Sequence, residues 1–87
     1  YEARLEGRDL NLTPLEFQLL VLLMEYAGLV LTRQQILDRI WGEGYFGTPR
    51  LVDVHIRSLR SKLGDDPANP RWIETIRGVG YKFKETP

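Results

Sequence analysis

The chain has 87 residues, 43% of them hydrophobic, no cysteine, and basic and acidic side chains in equal number. That length allows one domain with a modest core, and the missing cysteines exclude disulfides and thiolate metal sites and suit a reducing, cytoplasmic setting. The longest apolar run, LLVLLM at 19–24, is too short to cross a bilayer, and no charged-then-apolar leader opens the chain.

In chain order, ARLEGRDLNL places Gly7 between two short alternating stretches and predicts a small β-hairpin or edge strands. Thr13, Pro14 and Glu16 then spell a helix start: a hydroxyl cap, a proline at the first helical position and an acid three residues after the cap. Leu15, Leu19, Leu20, Leu22 and Leu23 make this helix apolar on too many sides for a surface element, so it is expected at the centre of the core, ending at Gly28. A second helix is predicted from the Thr32 cap to the Gly42 stop, with Ile36, Leu37, Ile40 and Trp41 as its apolar stripe. GEGYFGTP at 42–49 reads as a loop. Residues 50–63 give a third helix, with Val52, Ile56, Leu59 and Leu63 on one face and Gly64 as the stop. RWIETI and YKFKE close the chain as two strands joined across RGVG. The expected class is therefore α+β: a small N-terminal antiparallel sheet, three helices with a helix-turn-helix at helices two and three, and a C-terminal β-hairpin wing beside the third helix.

Charge is unevenly distributed. Residues 1–49 hold four basic side chains against seven acidic ones, and residues 50–87 hold eight basic against five. Such asymmetry points to an anionic partner on the C-terminal side. Outside the core face of the third helix lie Arg50, Asp53, Val54, His55, Arg57, Ser58, Arg60, Ser61 and Lys62. By spacing, Arg50, Val54, Arg57, Ser58 and Ser61 share one exposed stripe. The bland reading is a solvated face braced by an Asp53–Arg57 pair. An exposed valine among arginines favours a helix lying in a DNA major groove, where guanidinium groups reach phosphates or guanine edges and a valine touches a thymine methyl. His55 is the only histidine and has no cysteine or clustered carboxylate with which to form a metal or catalytic site. No cofactor or catalysis is expected.

The glycines of TIRGVGYKF do not form a phosphate-binding loop, because the segment enters a strand rather than a helix. They mark a hairpin tip that either simply turns or carries Arg77 into a minor groove, with Thr75, Tyr81 and Lys82 beside it. Tyr45 and Phe46, adjacent in the 42–49 loop, are either a protein-contact patch or partly buried against Trp41.

LTPLEFQLLVLLMEYAGLVLTRQQILDRIWG, VDVHIRSLRSKL and ETIRGVGYKF together resemble the winged-helix DNA-binding output domain of bacterial two-component response regulators of the OmpR/PhoB class. The resemblance covers about residues 3–84. It implies a single winged-helix domain over 1–87, with a phosphoryl-accepting receiver domain and a cognate sensor histidine kinase outside this chain, as a start at Tyr1 rather than Met also suggests. It further implies contacts to double-stranded DNA from Arg50, Val54, His55, Ser58, Arg60, Thr75, Arg77 and Tyr81, with Arg57 added by the stripe. Ser58 stands where some members place a base-reading arginine. A polymerase-contact loop at 42–49, centred on Gly44, Tyr45 and Phe46, and head-to-tail pairing on tandem direct repeats are implied as well. The rival expectation is a winged helix used for protein contact, supported by the zero net charge.

Overall fold

The computed structural model describes residues 4–5, 7–45 and 47–85. Strand β1 (Arg4–Leu5) pairs antiparallel with β2 (Arg8–Asp9), and Gly7 makes the turn between them with φ of 80°. Helix α1 (Pro14–Glu25) begins with the expected reciprocal cap: Glu16 N–H donates to Thr13 Oγ1 at 3.2 Å, and Thr13 N–H donates to Glu16 Oε1 at 2.9 Å. It buries Leu19, Leu20, Leu22 and Leu23. The helix stops at Glu25 rather than running on to Gly28. Gly28, with φ of 85°, instead redirects the chain, and its N–H donates to the carbonyl of Phe83 at 2.8 Å.

That redirection creates an element the sequence did not announce. Val30–Thr32 form β3, which pairs antiparallel with β5 (Gly80–Phe83), and β5 pairs in turn with β4 (Ile73–Ile76). The C-terminal hairpin is thus two-thirds of a three-stranded sheet in the order β3-β5-β4. The two glycines of the wing have different tasks. Gly78 supplies the left-handed turn residue, with φ of 73°. Gly80 allows strand contact: a Cβ there would stand 1.9 Å from the carbonyl oxygen of Leu31.

Helix α2 (Arg33–Trp41) repeats the capping box through Thr32 and Gln35 and ends at Gly42. Helix α3 (Arg50–Leu63) follows Pro49 and ends at Gly64, whose φ of 71° is the left-handed stop expected of it. Leu19, Leu23, Ile36, Leu37, Val52, Ile56, Leu59 and Ile73 are fully buried, so all three helices and β4 meet in one core. The loop after α3 is pinned by Asp65. This buried carboxylate accepts from the backbone N–H groups of Arg71 at 2.7 Å, Trp72 at 3.2 Å and Ile73 at 2.9 Å, so it delivers the chain into β4. No described helix is long and apolar enough to cross a membrane.

Candidate nucleic-acid interface

With Val52, Ile56, Leu59 and Leu63 turned inward, the opposite face of α3 presents Arg50, Val54, Arg57 and Ser61, all exposed. Val54 is 58% accessible, a large apolar side chain left on the solvent face of the helix. The wing tip presents Arg77, also exposed. The guanidinium groups of Arg50, Arg57 and Arg77 make no hydrogen bond or ion pair with any other described residue.

The remaining arginines near this face are engaged, and here the structure corrects the expected exposures. Arg60 is only 8% accessible. It crosses the α3–β4 junction, where Nη2 donates to the Ile73 carbonyl and to Thr75 Oγ1, each at 2.7 Å, and its guanidinium lies 5.5 Å above the Tyr81 ring. Position 60 follows Ile56 by four and precedes Leu63 by three, so the helix aims it at the sheet edge rather than at solvent. Asp53 does not pair with Arg57. Its carboxylate accepts from Arg33 Nη2 at 2.8 Å and from Tyr81 Oη at 2.6 Å, joining α2, α3 and β5 at one point. Tyr81 is buried, its hydroxyl committed to that carboxylate.

Ser58 also leaves the exposed stripe. It is half-buried, and its hydroxyl donates to Glu16 Oε2. Lys62 Nζ reaches the other oxygen of Glu16 at 2.6 Å, so the residue that closes the α1 capping box also clamps α3 onto α1. Burial alone would raise the Glu16 carboxyl. The hydrogen bonds from Lys62, Ser58 and Thr13 and the Lys62 charge outweigh it and bring the pKa down to about 2. Thr75 differs from Ser58 in one respect: it accepts from Arg60, which leaves its own O–H free to donate outward.

The 42–49 loop is tied to α3 through aromatic rings. Tyr45 stacks on Trp41 with centroids 6.4 Å apart, and His55 meets the edge of Trp41 at 5.2 Å. Of the two expected aromatics, Tyr45 is therefore packed on Trp41 yet still 45% accessible, while Phe46 lies outside the described residues. Gly44 is exposed beside it, with φ of 86°. His55 is half-buried, with Nδ1 2.9 Å from the Leu51 carbonyl. Because a carbonyl only accepts, Nδ1 carries the proton and Nε2 remains for a partner. Trp41, Asp53 and Glu16 are the residues that sequence reasoning undervalued. Glu16 carried a signal in its spacing from Thr13 and Trp41 in its place beside the aromatic loop, whereas the partners of Asp53 carried none.

The Asp53 junction has a measurable consequence. Burial first, then the hydrogen bond to Asp53 and that residue's charge, push the Tyr81 phenol from 10.0 up to about 12, against the lowering influence of Arg60 and Arg33. A raised acid pKa means that this stabilisation is complete below the unfolded-state value and is lost as pH rises through the folded-state value, between about 10 and 12. Asp53→Asn is expected to move the Tyr81 titration down toward its ordinary range, read as tyrosinate absorbance. An unmoved titration would remove the junction from the account.

Three helices, a short three-stranded sheet and a free arginine at the tip of a β-wing define the winged helix-turn-helix class. Residues 7–83 match the family described as transcriptional regulatory protein, C terminal, and the chain belongs to it. Sensory transduction protein RegX3 of Mycolicibacterium smegmatis is 49% identical over 78 residues, covering 90% of this chain and 34% of the relative, so the chain spans about a third of that protein's length. The DNA-binding domain of Klebsiella pneumoniae RstA, solved in complex with the RstA box, is similar with a TM-score of 0.87 at 36% identity, covering 95% of this chain and 82% of that one. The response regulator DrrB, a Thermotoga maritima OmpR/PhoB homologue, gives a TM-score of 0.86 at 40% identity, covering 97% and 38%.

Proposed function

We propose that this domain binds double-stranded DNA sequence-specifically and regulates transcription as the output domain of a two-component response regulator. The observation that carries the reading is the sorting of the arginines. Those at the α3–sheet junction are consumed by the fold, whereas Arg50, Arg57 and Arg77 are left free on the recognition helix and wing, with the exposed Val54 between the first two. In this reading α3 lies in a major groove, Val54 and Arg57 read base edges, Arg50 and the Thr75 hydroxyl donate to phosphates, and His55 Nε2, an acceptor in this tautomer, meets the DNA through a bridging water. Arg77 enters the adjacent minor groove. Ser58, Arg60 and Tyr81 support the surface from behind, because the Ser58 and Tyr81 hydroxyl hydrogens are given to Glu16 and Asp53 and the buried Arg60 guanidinium is given to β4 through Nη2.

Zero net charge gives a single copy a weak electrostatic hold on DNA. Head-to-tail pairing on tandem direct repeats, driven by phosphorylation of a receiver domain by its cognate sensor histidine kinase, would raise occupancy through effective concentration. Tyr45 and its glycine-rich loop are assigned to RNA polymerase, which the resemblance implies for residues 42–49.

The same neutrality favours the rival, a wing used for protein contact. Selection from a randomised duplex pool at two salt concentrations separates the two. The DNA reading expects an enriched repeated motif, relaxed by Val54→Ala and weakened by Arg77→Ala on the order of 1–3 kcal/mol. Absence of binding at low salt would favour the protein-contact wing.

A further inference from the structure

Val79 has no explanation within the fold. It closes the three-residue tip Arg77-Gly78-Val79, bounded by the last register pair of the hairpin, Ile76 opposite Gly80. The residue is 44% accessible, one of seven large hydrophobic residues exposed among the described residues and the one at the wing tip. The tip that carries it is nevertheless firmly held. Val79 N–H donates to the Ile76 carbonyl at 2.9 Å, Arg33 N–H at the start of α2 donates to the Val79 carbonyl at 3.4 Å, and Gly80 is packed against the backbone of β3. A free guanidinium and an exposed isopropyl group thus stand two residues apart on a turn with little freedom to rearrange.

The floor of a minor groove differs between base pairs in one group. A·T and T·A offer only acceptors, whereas G·C adds the guanine N2 amino donor at the centre. A guanidinium only donates, so Arg77 finds partners on an A·T floor in either orientation. An isopropyl group neither donates nor accepts. The acceptors are common to both pairs, but at the centre of the floor A·T presents the adenine C2–H, which an isopropyl group can cover, whereas over guanine it would strip water from an amino group and give nothing back.

We propose that Val79 is a specificity-determining residue that, beside Arg77, selects A·T pairs at the minor-groove step under the wing. This rests on the DNA-binding reading above and adds a second reading site to the one on α3.

The test uses modified bases. In duplexes recovered by selection, the wing step is located as the hydroxyl-radical protection that Arg77→Ala loses. The pairs there are then replaced with inosine·C, which has the major-groove face of G·C but lacks the N2 amino group, and with diaminopurine·T, which has the major-groove face of A·T with that group added. Inosine·C should bind like A·T and diaminopurine·T like G·C, with roughly tenfold between the two classes. Val79→Ala should shrink that ratio, and Val79→Ile should preserve it. Because the side chain is exposed, both variants keep the fold. Unchanged discrimination in Val79→Ala, or binding that follows the major-groove face, overturns this inference alone. A chain that enriches no motif and protects no DNA overturns the DNA reading, and this inference with it.

Discussion

Glu16→Gln lowers the stability of the domain by about 2–3 kcal/mol at neutral pH, and the gap between variant and wild type closes as the solution is acidified. The glutamine keeps an acceptor for the Thr13 N–H, so the helix cap itself survives the exchange. What disappears is the negative charge that faces Lys62 Nζ at 2.6 Å and accepts the Ser58 hydroxyl inside the α1–α3 interface. Hydrogen bonds to a charged group contribute about 1.5–3 kcal/mol each way of counting, because removal leaves the remaining partner poorly solvated. The direction with pH follows from the depressed carboxyl. Its folded-state pKa of about 2 lies below the ordinary 4.5, so the contribution is fully present above 4.5 and is lost as pH falls through the folded-state value. Urea unfolding of both proteins between neutral pH and about pH 2 checks this. A gap independent of pH would mean that packing, not charge, joins the two helices.

The second large effect separates two arginines three positions apart on α3. Arg60→Ala is expected to destabilise the fold by about 3 kcal/mol, since it removes two hydrogen bonds across the α3–β4 junction and the cover over the Tyr81 ring. Arg57→Ala should leave stability within about 0.5 kcal/mol, as expected of an exposed side chain with no protein partner. In DNA binding the order reverses once both variants are measured well below their melting temperatures. Arg57→Ala weakens specific binding by about 1–3 kcal/mol, while Arg60→Ala weakens it only as far as the wing shifts against α3. Equal losses of stability from the two substitutions would contradict the division of labour drawn from their burial.

Helix positions were legible in the sequence because their signals are local. Thr13 with Glu16, and Thr32, fix two starts, Gly42 and Gly64 fix two ends, and the period of Val52, Ile56, Leu59 and Leu63 orients α3. Strand β3 was not legible. It has only three residues, and its partner Gly80–Phe83 lies about fifty positions further along the chain, so no short window contains the pair. The candidate site divides in the same way. Arg50, Val54 and Arg57 fall on the outer face by period alone. Arg60 and Ser58 were placed outside because charged and polar side chains are usually exposed, but position 60 flanks the buried stripe and position 58 meets the Glu16 carboxylate of α1. What hid them was partner chemistry contributed by other elements. Tyr81 was placed at the interface by the resemblance, and its partner Asp53 is twenty-eight residues away.

The close approach of Gly80 to β3 also bears on how this molecule meets a double helix. The wing is not a loose arm that finds its groove after the helix has found its own. Through β3 and Arg33 it is fastened to the same helical pair that carries α3, so the two reading elements behave like dividers locked at one opening. In the proposed complex, any misfit between that opening and the local pitch of the DNA is absorbed by the DNA, through twist or groove width. Supercoiling changes both. In that proposed complex, binding would respond to the torsional state of the DNA as well as to its sequence.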